Sequence, residues 1–378
     1  MKLNLRSVVL PPVLAIAFAA LLCGLALLVS GANPLTAFGT MVAEVGEGTA
    51  AVDIINGGAT YYLIALAVAI GFQMKLFNIG VEGQYRIAAV VAMIVGGAVT
   101  LPPGLHALVI MLVAIVAGAL YAAIPALLKA YRGVSEVIST IMLNAISLGI
   151  VAFLLKPEMF GVLRANSLTT GELPESAHVP GISFGAAGTV FGLGLLSVVA
   201  GVGYWVLMNR TRFGFELRAS GESATAATAG GVNAKRMIIA AMLLSGAVAG
   251  LTALPELLGR DHTFTQNFPQ GYGFSGIAIA LLGRNHAGGI AFGALLWAFL
   301  DRSALALDNI GVPKEIVTIM QGAIVLSVVV AYEIVRRMQL AAEQRKVGQQ
   351  LGTTSPPDDA AAGGKDQPAA TSAGGGAA

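Results

Sequence analysis

A polar, glycine-broken insert separates two apolar runs, at 61–70 and 87–99, and neither run is long enough to cross a bilayer alone. A spanning helix needs about 20 apolar residues for roughly 30 Å of hydrocarbon. The insert reads Gly71-Phe72-Gln73-Met74-Lys75-Leu76-Phe77-Asn78-Ile79-Gly80-Val81-Glu82-Gly83-Gln84-Tyr85-Arg86. Polar side chains and irregular backbone are tolerated at membrane depth only inside protein or beside a watery cavity. Asn78, Glu82 and Gln84 bring hydrogen-bonding groups, and Gly80 and Gly83 let the backbone bend. The stretch reads as part of a transport pathway.

Composition sets the class. Apolar residues make up 56% of the chain and charged residues 11%, with a mean hydropathy of +0.79. Soluble domains carry about 25% charged residues, so this is an integral membrane protein. Most of its 48 glycines fall inside apolar stretches. The pairs Gly188/Gly192, Gly246/Gly250 and Gly289/Gly293 have the small-xxx-small spacing that brings membrane helices close together. Cys23 is the one cysteine, so no internal disulfide forms. The four histidines lack ligand-like spacing, and no metal centre is expected. A net charge of +2 gives no footprint for nucleic acid, and none is expected as a partner.

Apolar periodicity predicts an all-α polytopic membrane protein of about ten transmembrane helices, some short or broken. They lie near 8–30, 57–74, 84–101, 106–128, 136–155, 189–208, 237–258, 272–282, 289–300 and 315–332. The first run is too long for the h-region of a signal peptide. The stretches 33–56, 156–188, 209–236 and 301–314 read as polar connections, and 272–282 and 289–300 are short enough to be re-entrant half-helices. With both termini cytoplasmic, only Lys156, Arg164, Arg260, Arg302 and Lys314 of the 22 Lys and Arg fall outside, as the positive-inside rule requires. Residues 1–338 form the permease domain by this reading, and 339–378 a disordered cytoplasmic tail.

Familiar enzyme patterns fail on context. Gly181-Ile182-Ser183-Phe184-Gly185 matches G-x-S-x-G but follows a loop rather than a strand. Gly271-Tyr272-Gly273-Phe274-Ser275-Gly276 matches G-x-G-x-x-G, yet no strand precedes it and a membrane-like run follows. It reads as a flexible break leading into a membrane helix. No lysine is followed by Ser or Thr, so the chain has no P-loop and any ATP is hydrolysed on another polypeptide.

The basic loop 209–236 predicts a short helix over 215–229 carrying Arg218 and Glu222 as an i,i+4 pair. Its Ala- and Gly-rich surface suits either a solvated connection or a partner-docking face. Phe77-Asn78-Ile79-Gly80-Val81-Glu82-Gly83-Gln84 resembles the signature of permease subunits of ABC-type nucleoside importers, relatives of branched-chain amino-acid and ribose permeases. Three stretches extend the resemblance in order: Glu136-Val137-Ile138-Ser139-Thr140-Ile141-Met142-Leu143-Asn144; Leu217-Arg218-Ala219-Ser220-Gly221-Glu222 with Gly231-Val232-Asn233; and Gly273-Phe274-Ser275-Gly276 through Asn285. It covers about residues 60–335.

The resemblance implies a bacterial inner-membrane permease and not an enzyme. Its partners would be ABC ATPase subunits holding the ATP and magnesium, a second homologous permease, and a periplasmic or lipoprotein solute-binding protein. This chain itself would need no cofactor. Loop 209–236 would be the coupling loop, with Arg218, Glu222, Ala226, Ala227 and Gly231 against the ATPase; Thr228-Ala229-Gly230 stands where related permeases carry bulkier residues. A nucleoside pathway needs apolar or aromatic walls and a few placed amides and hydroxyls. Asn78, Glu82, Gln84, Ser139, Thr140, Asn144, Phe274 and Ser275 are the candidates, each with the alternative of merely bridging helices. Two rivals remain: an ABC permease for sugars or branched-chain amino acids, and an ion-coupled secondary transporter relaying protons through Glu82, Glu256 and Asp301.

Overall fold

The computed structural model describes residues 5–164 and 166–352. Helix α1 (Leu5–Val29) turns back through 110° into α2 (Pro34–Glu44). The turn follows from local chemistry: Gly31 takes φ +82°, Asn33 caps the Leu35 N–H, and Pro34 opens the new helix. Helix α3 (Ala50–Gln73) leads through an extended stretch to α4 (Val81–Ala98), then α5 (Leu105–Arg132) and α6 (Glu136–Leu154).

Two small antiparallel hairpins follow, β1 (Gly161–Arg164) with β2 (Ser167–Thr170) and β3 (Ile182–Ser183) with β4 (Thr189–Val190). Helix α7 (Gly194–Arg210) returns across the bundle to two short helices, α8 (Arg212–Glu222) and α9 (Ala224–Ala229). Helix α10 (Ala234–Gly250) continues after a break through α11 (Leu254–Glu256) into a π-helical turn, Leu257–Asp261. The chain ends in α12 (Tyr272–Leu282), α13 (Ala287–Asn309) and α14 (Glu315–Gly352).

Among the described residues, six helical stretches are long and apolar enough to span a membrane: α3, α5, α6, Ala234–Asp261, α13 and Glu315–Met338; the bent α1–α2 pair makes a seventh. Helix α3 is the axis. Every residue from Leu63 to Gly71 is buried, because α3 is apolar all round and is wrapped by α7, α10, α12 and α13. The α5–α10 seam is the tightest. A Cβ on Gly118 would enter the Gly246 carbonyl, one on Gly246 the Gly118 carbonyl, and one on Gly250 the Ala114 carbonyl. The spacing at Gly246/Gly250 is thus a helix-packing device, whereas Gly188 and Gly192 lie beside the β3–β4 hairpin and pack no helix pair.

Other expectations change. Residues 33–56 are not a plain connection, since they hold α2 and the first two turns of α3. Residues 189–190 form a strand, and α7 starts only at Gly194. Helix α13 runs 23 residues, through the expected loop at 301–309, so α12, with 11 residues, is the one short element of that pair. Helix α14 continues past 338 to Gly352, and 353–378 lies outside the described residues. His178 and His262, far apart in sequence, stack with ring centroids 3.5 Å apart and tie the hairpin region to the π-helical turn.

Candidate functional site

The site grows from the break between α3 and α4. Helix α3 stops because Lys75 adopts φ +57°, letting the Lys75 and Leu76 N–H groups return to the carbonyls of Phe72 and Gly71. The chain then runs extended to Gly80 and re-enters a helix with Glu82, Gln84 and Arg86 on its first turns.

Glu82 is buried and caps another helix. Its carboxylate accepts the Gly271 N–H at 2.9 Å and the Gly273 N–H at 2.8 Å, at the N-terminus of α12. A helix leaves its first four N–H groups unpaired, and the positive end of its dipole favours a carboxylate there. One turn further along α4, Arg86, 1% exposed, donates to the carbonyls of Phe268 at 3.1 Å, Gln266 at 3.4 Å and Pro269 at 3.5 Å. The Tyr85 hydroxyl adds a bond to Pro269 O. The two side chains therefore divide the irregular segment 266–273 between them. The carboxylate takes its N–H groups and the guanidinium takes its C=O groups, satisfying backbone that no ladder satisfies.

The glycines of the G-x-G-x-x-G pattern let α12 press home. A Cβ on Gly273 would lie 2.7 Å from the Glu82 nitrogen, and one on Gly276 would lie 3.1 Å from Ile64. Gly271, at φ +95°, makes the turn into the helix. With 11 residues α12 is roughly 16 Å long at about 1.5 Å per residue, half the hydrocarbon thickness.

The amides form their own lattice. Asn78 and Gln84 exchange bonds at 3.1 and 3.2 Å, and Asn78 also donates to Ser245 Oγ at 2.9 Å, which in turn donates to Ala67 O. Asn144 on α6 accepts the Gly83 N–H and donates to Ile79 O. Thr140 packs where Gly80 leaves room, and the Ser139 and Thr140 hydroxyls bond back to carbonyls of their own helix. Of the eight pathway candidates, Asn78, Glu82, Gln84 and Asn144 tie separate segments together, while the Ser139 and Thr140 hydroxyls are engaged within α6. Phe274, 58% exposed, and half-buried Ser275 lie on the open face of α12. Replacing Asn144 by Ala strands the Gly83 N–H and Ile79 carbonyl, and should cost about 1–3 kcal/mol, read as a lower thermal midpoint in detergent.

Sequence reasoning counted Arg86 only as a topology-setting charge. Its position four residues after Glu82, on the same face of a helix, was the available signal. The expected Arg218–Glu222 pair does not form. Glu222 instead bridges to Lys75 at 2.7 Å, and Arg218 donates to Met208 O. The predicted single helix is two, broken at Ser223, whose hydroxyl caps α9 through the Ala226 N–H. Gly221 lies against Met74, where a Cβ would come within 2.8 Å of the backbone, so α8 rests directly on the α3–α4 break. Of the small residues on α9, Ala227 is buried while Ala226 and the following Gly231 are exposed. The three carboxylates of the proton-relay reading are each engaged separately: Glu82 at α12, Glu256 with Arg260, and Asp301 with Tyr61 and Gln321.

Comparison with known proteins agrees with this architecture. The family described as branched-chain amino acid transport system / permease component matches residues 50–329. The guanosine ABC transporter permease protein NupP of Bacillus subtilis is 35% identical over 87% of this chain and 95% of its own length. The nucleoside ABC transporter permease protein NupB of Lactococcus lactis subsp. cremoris is 33% identical over 87% and 93%. The glucose ABC transporter permease protein TsgB13 of Haloferax volcanii is 32% identical over 83% and 85%. No solved structure matches. With its family signature spread over most of a multi-pass helical bundle, the chain belongs to the family of branched-chain amino acid transport system permease components.

Proposed function

We propose that this chain is the membrane-spanning subunit of an ABC importer that carries nucleosides across the bacterial inner membrane. The observation that carries the solute class is the likeness, over nearly nine-tenths of the chain, to two permeases named for guanosine and for nucleosides. A sugar is the second reading, favoured by the glucose permease at similar identity. In this reading α8 and α9 face the cytoplasm, the hairpins face outward, and the chain makes ten passes with both termini inside, counting α4, α7 and the half-length α12. ATP and magnesium belong to separate ATPase subunits. A second permease completes the membrane unit, and a binding protein delivers the solute to the hairpin side.

Coupling follows from where α8 rests. An ATPase pressing on exposed α9 moves α8. Through Gly221–Met74 and the Lys75–Glu222 pair, α8 bears on the break that positions Glu82 and Arg86, and with them α12. The exposed face of α12 with Phe274 and Ser275 then lines the route. Because Lys75 and Glu222 are exposed, their pair adds at most about 1 kcal/mol to stability. Glu222→Arg should therefore insert normally yet lower uptake by about an order of magnitude. The swap Lys75→Glu with Glu222→Lys should recover much of it. Normal uptake in the single variant would remove this contact from the coupling route.

The function itself is tested by uptake of radiolabelled nucleosides and glucose in cells with and without this chain and its ATPase. Nucleoside uptake that requires both and survives collapse of the proton gradient, with ATP maintained, supports the proposal. Uptake that ignores the ATPase and vanishes with the gradient points to an ion-coupled carrier, and glucose uptake alone overturns the solute class.

A further inference from the structure

At the end of α3 away from α8 lies a cleft of about 390 Å³, lined in part by Asp53, Thr60, Phe191, Glu256, Arg260 and Tyr272. Neither the amide lattice nor the Glu82–Arg86 clamp uses it. Small-molecule sites run from about 300 to 1,000 Å³ and combine apolar walls with a few placed polar groups. Here Phe191 and Tyr272 supply aromatic surface. Thr60 and Tyr272 supply hydroxyls that bond to no protein group among the described residues, and Tyr272 keeps its ring fixed against Tyr61 and Tyr85.

Each arginine of the cleft is already shared by two carboxylates. Arg302 bridges Glu44 at 2.9 Å and Asp53 at 3.4 Å, and Arg260 pairs with Glu256 and Asp261. Each pair leaves a carboxylate oxygen, Oδ1 of Asp53 and Oε2 of Glu256, without a protein partner among the described residues. With both arginines engaged the site offers no free cation to an anionic solute, while its spare carboxylate oxygens and two hydroxyls suit a solute rich in hydroxyl groups. Glu256 and Arg260 reach the cleft from the break and π-helical turn that end α10, a distortion frequent at functional sites. Tyr272 is the first residue of α12, so the floor of the cleft is the same half-helix that Glu82 caps.

We infer that this cleft is a solute subsite, recognising the ribose hydroxyls of a nucleoside through Thr60, Tyr272, Asp53 and Glu256 before the solute passes along α12. The inference rests on the nucleoside reading above. The test uses the assembled importer and compares uptake of adenosine and dideoxyadenosine by the unaltered chain, Thr60→Val and Tyr272→Phe. Both substitutions preserve shape, and immunoblotting of membranes confirms the amount present. Since the binding protein is common to all, its own preference cancels in the comparison.

Loss of one hydrogen bond should raise KM for adenosine about five- to tenfold while leaving dideoxyadenosine within about twofold. Equal effects on both solutes, or none on either, would overturn the assignment. Independently, Thr60→Cys in a Cys23→Ala background should react with a charged methanethiosulfonate added outside, and saturating adenosine with binding protein should slow that reaction. Labelling at one rate regardless of adenosine would count against the subsite. Absence of adenosine uptake by the unaltered importer would instead overturn the nucleoside reading, and this assignment with it.

Discussion

Arg86→Met should abolish uptake and lower stability by about 3–5 kcal/mol, the usual consequence of removing one partner from a buried charged cluster. Methionine fills much of the volume but donates nothing. The carbonyls of Gln266 and Phe268 would lose their donor, Pro269 would keep only the Tyr85 hydroxyl, and Glu82 would stay buried without the compensating charge one turn away. Glu82→Gln should be milder but still damaging. An amide keeps one acceptor for Gly271 or Gly273 and sets its NH₂ against the other N–H. Because both residues hold the same segment, the double variant should cost less than the sum of the singles. Thermal unfolding in detergent, with protease sensitivity of 262–271, measures this. Native-like stability and uptake in Arg86→Met would show that α12 is positioned by packing alone.

The second large effect lies in the α5–α10 seam. Gly246→Ala should destabilise by about 3 kcal/mol or more, with Gly246→Val worse and little folded protein recovered. The added Cβ would meet both the Gly118 carbonyl and the Ala122 side chain, and a backbone carbonyl cannot rotate aside. Separating the helices would also loosen Ser245, and through it Asn78 and Gln84. Gly149 and Gly203 serve as controls, since a Cβ at either meets nothing within 4 Å. Their alanine variants should keep or slightly raise the yield of folded protein, because alanine favours the helix by about 1 kcal/mol. A monodisperse, thermally normal Gly246→Val protein in size-exclusion chromatography would contradict the seam.

Much of this was legible without coordinates. Hydropathy alone sets the membrane class, since 56% apolar residues with 11% charge leave no soluble alternative. The breaks at Lys75–Gly80 and Gly271 were readable because polar and glycine residues interrupt runs that must otherwise stay helical. Residues of the family signature lie together: Asn78, Glu82, Gln84 and Asn144 are all buried or half-buried at one junction. What each does there was not readable. Side-chain type announces that a group needs a partner, but in this protein most of the partners are backbone atoms, and backbone has no letter in the sequence.

Arg86 shows the limit most clearly. As a charge beside an apolar run it counts toward topology, and only the folded chain brings to it the carbonyl of Phe268, 182 positions away. Lys75 and Glu222 likewise meet because α8 lands on the α3–α4 break, displacing the i,i+4 pair that local spacing favours. Sequence was enough to set the membrane class, most of the long apolar helices, the breaks at Lys75–Gly80 and Gly271, and the need to bury polar groups beside them. The tertiary structure alone decided which break each buried charge holds, because that depends on where distant backbone is left without hydrogen bonds once the helices have packed.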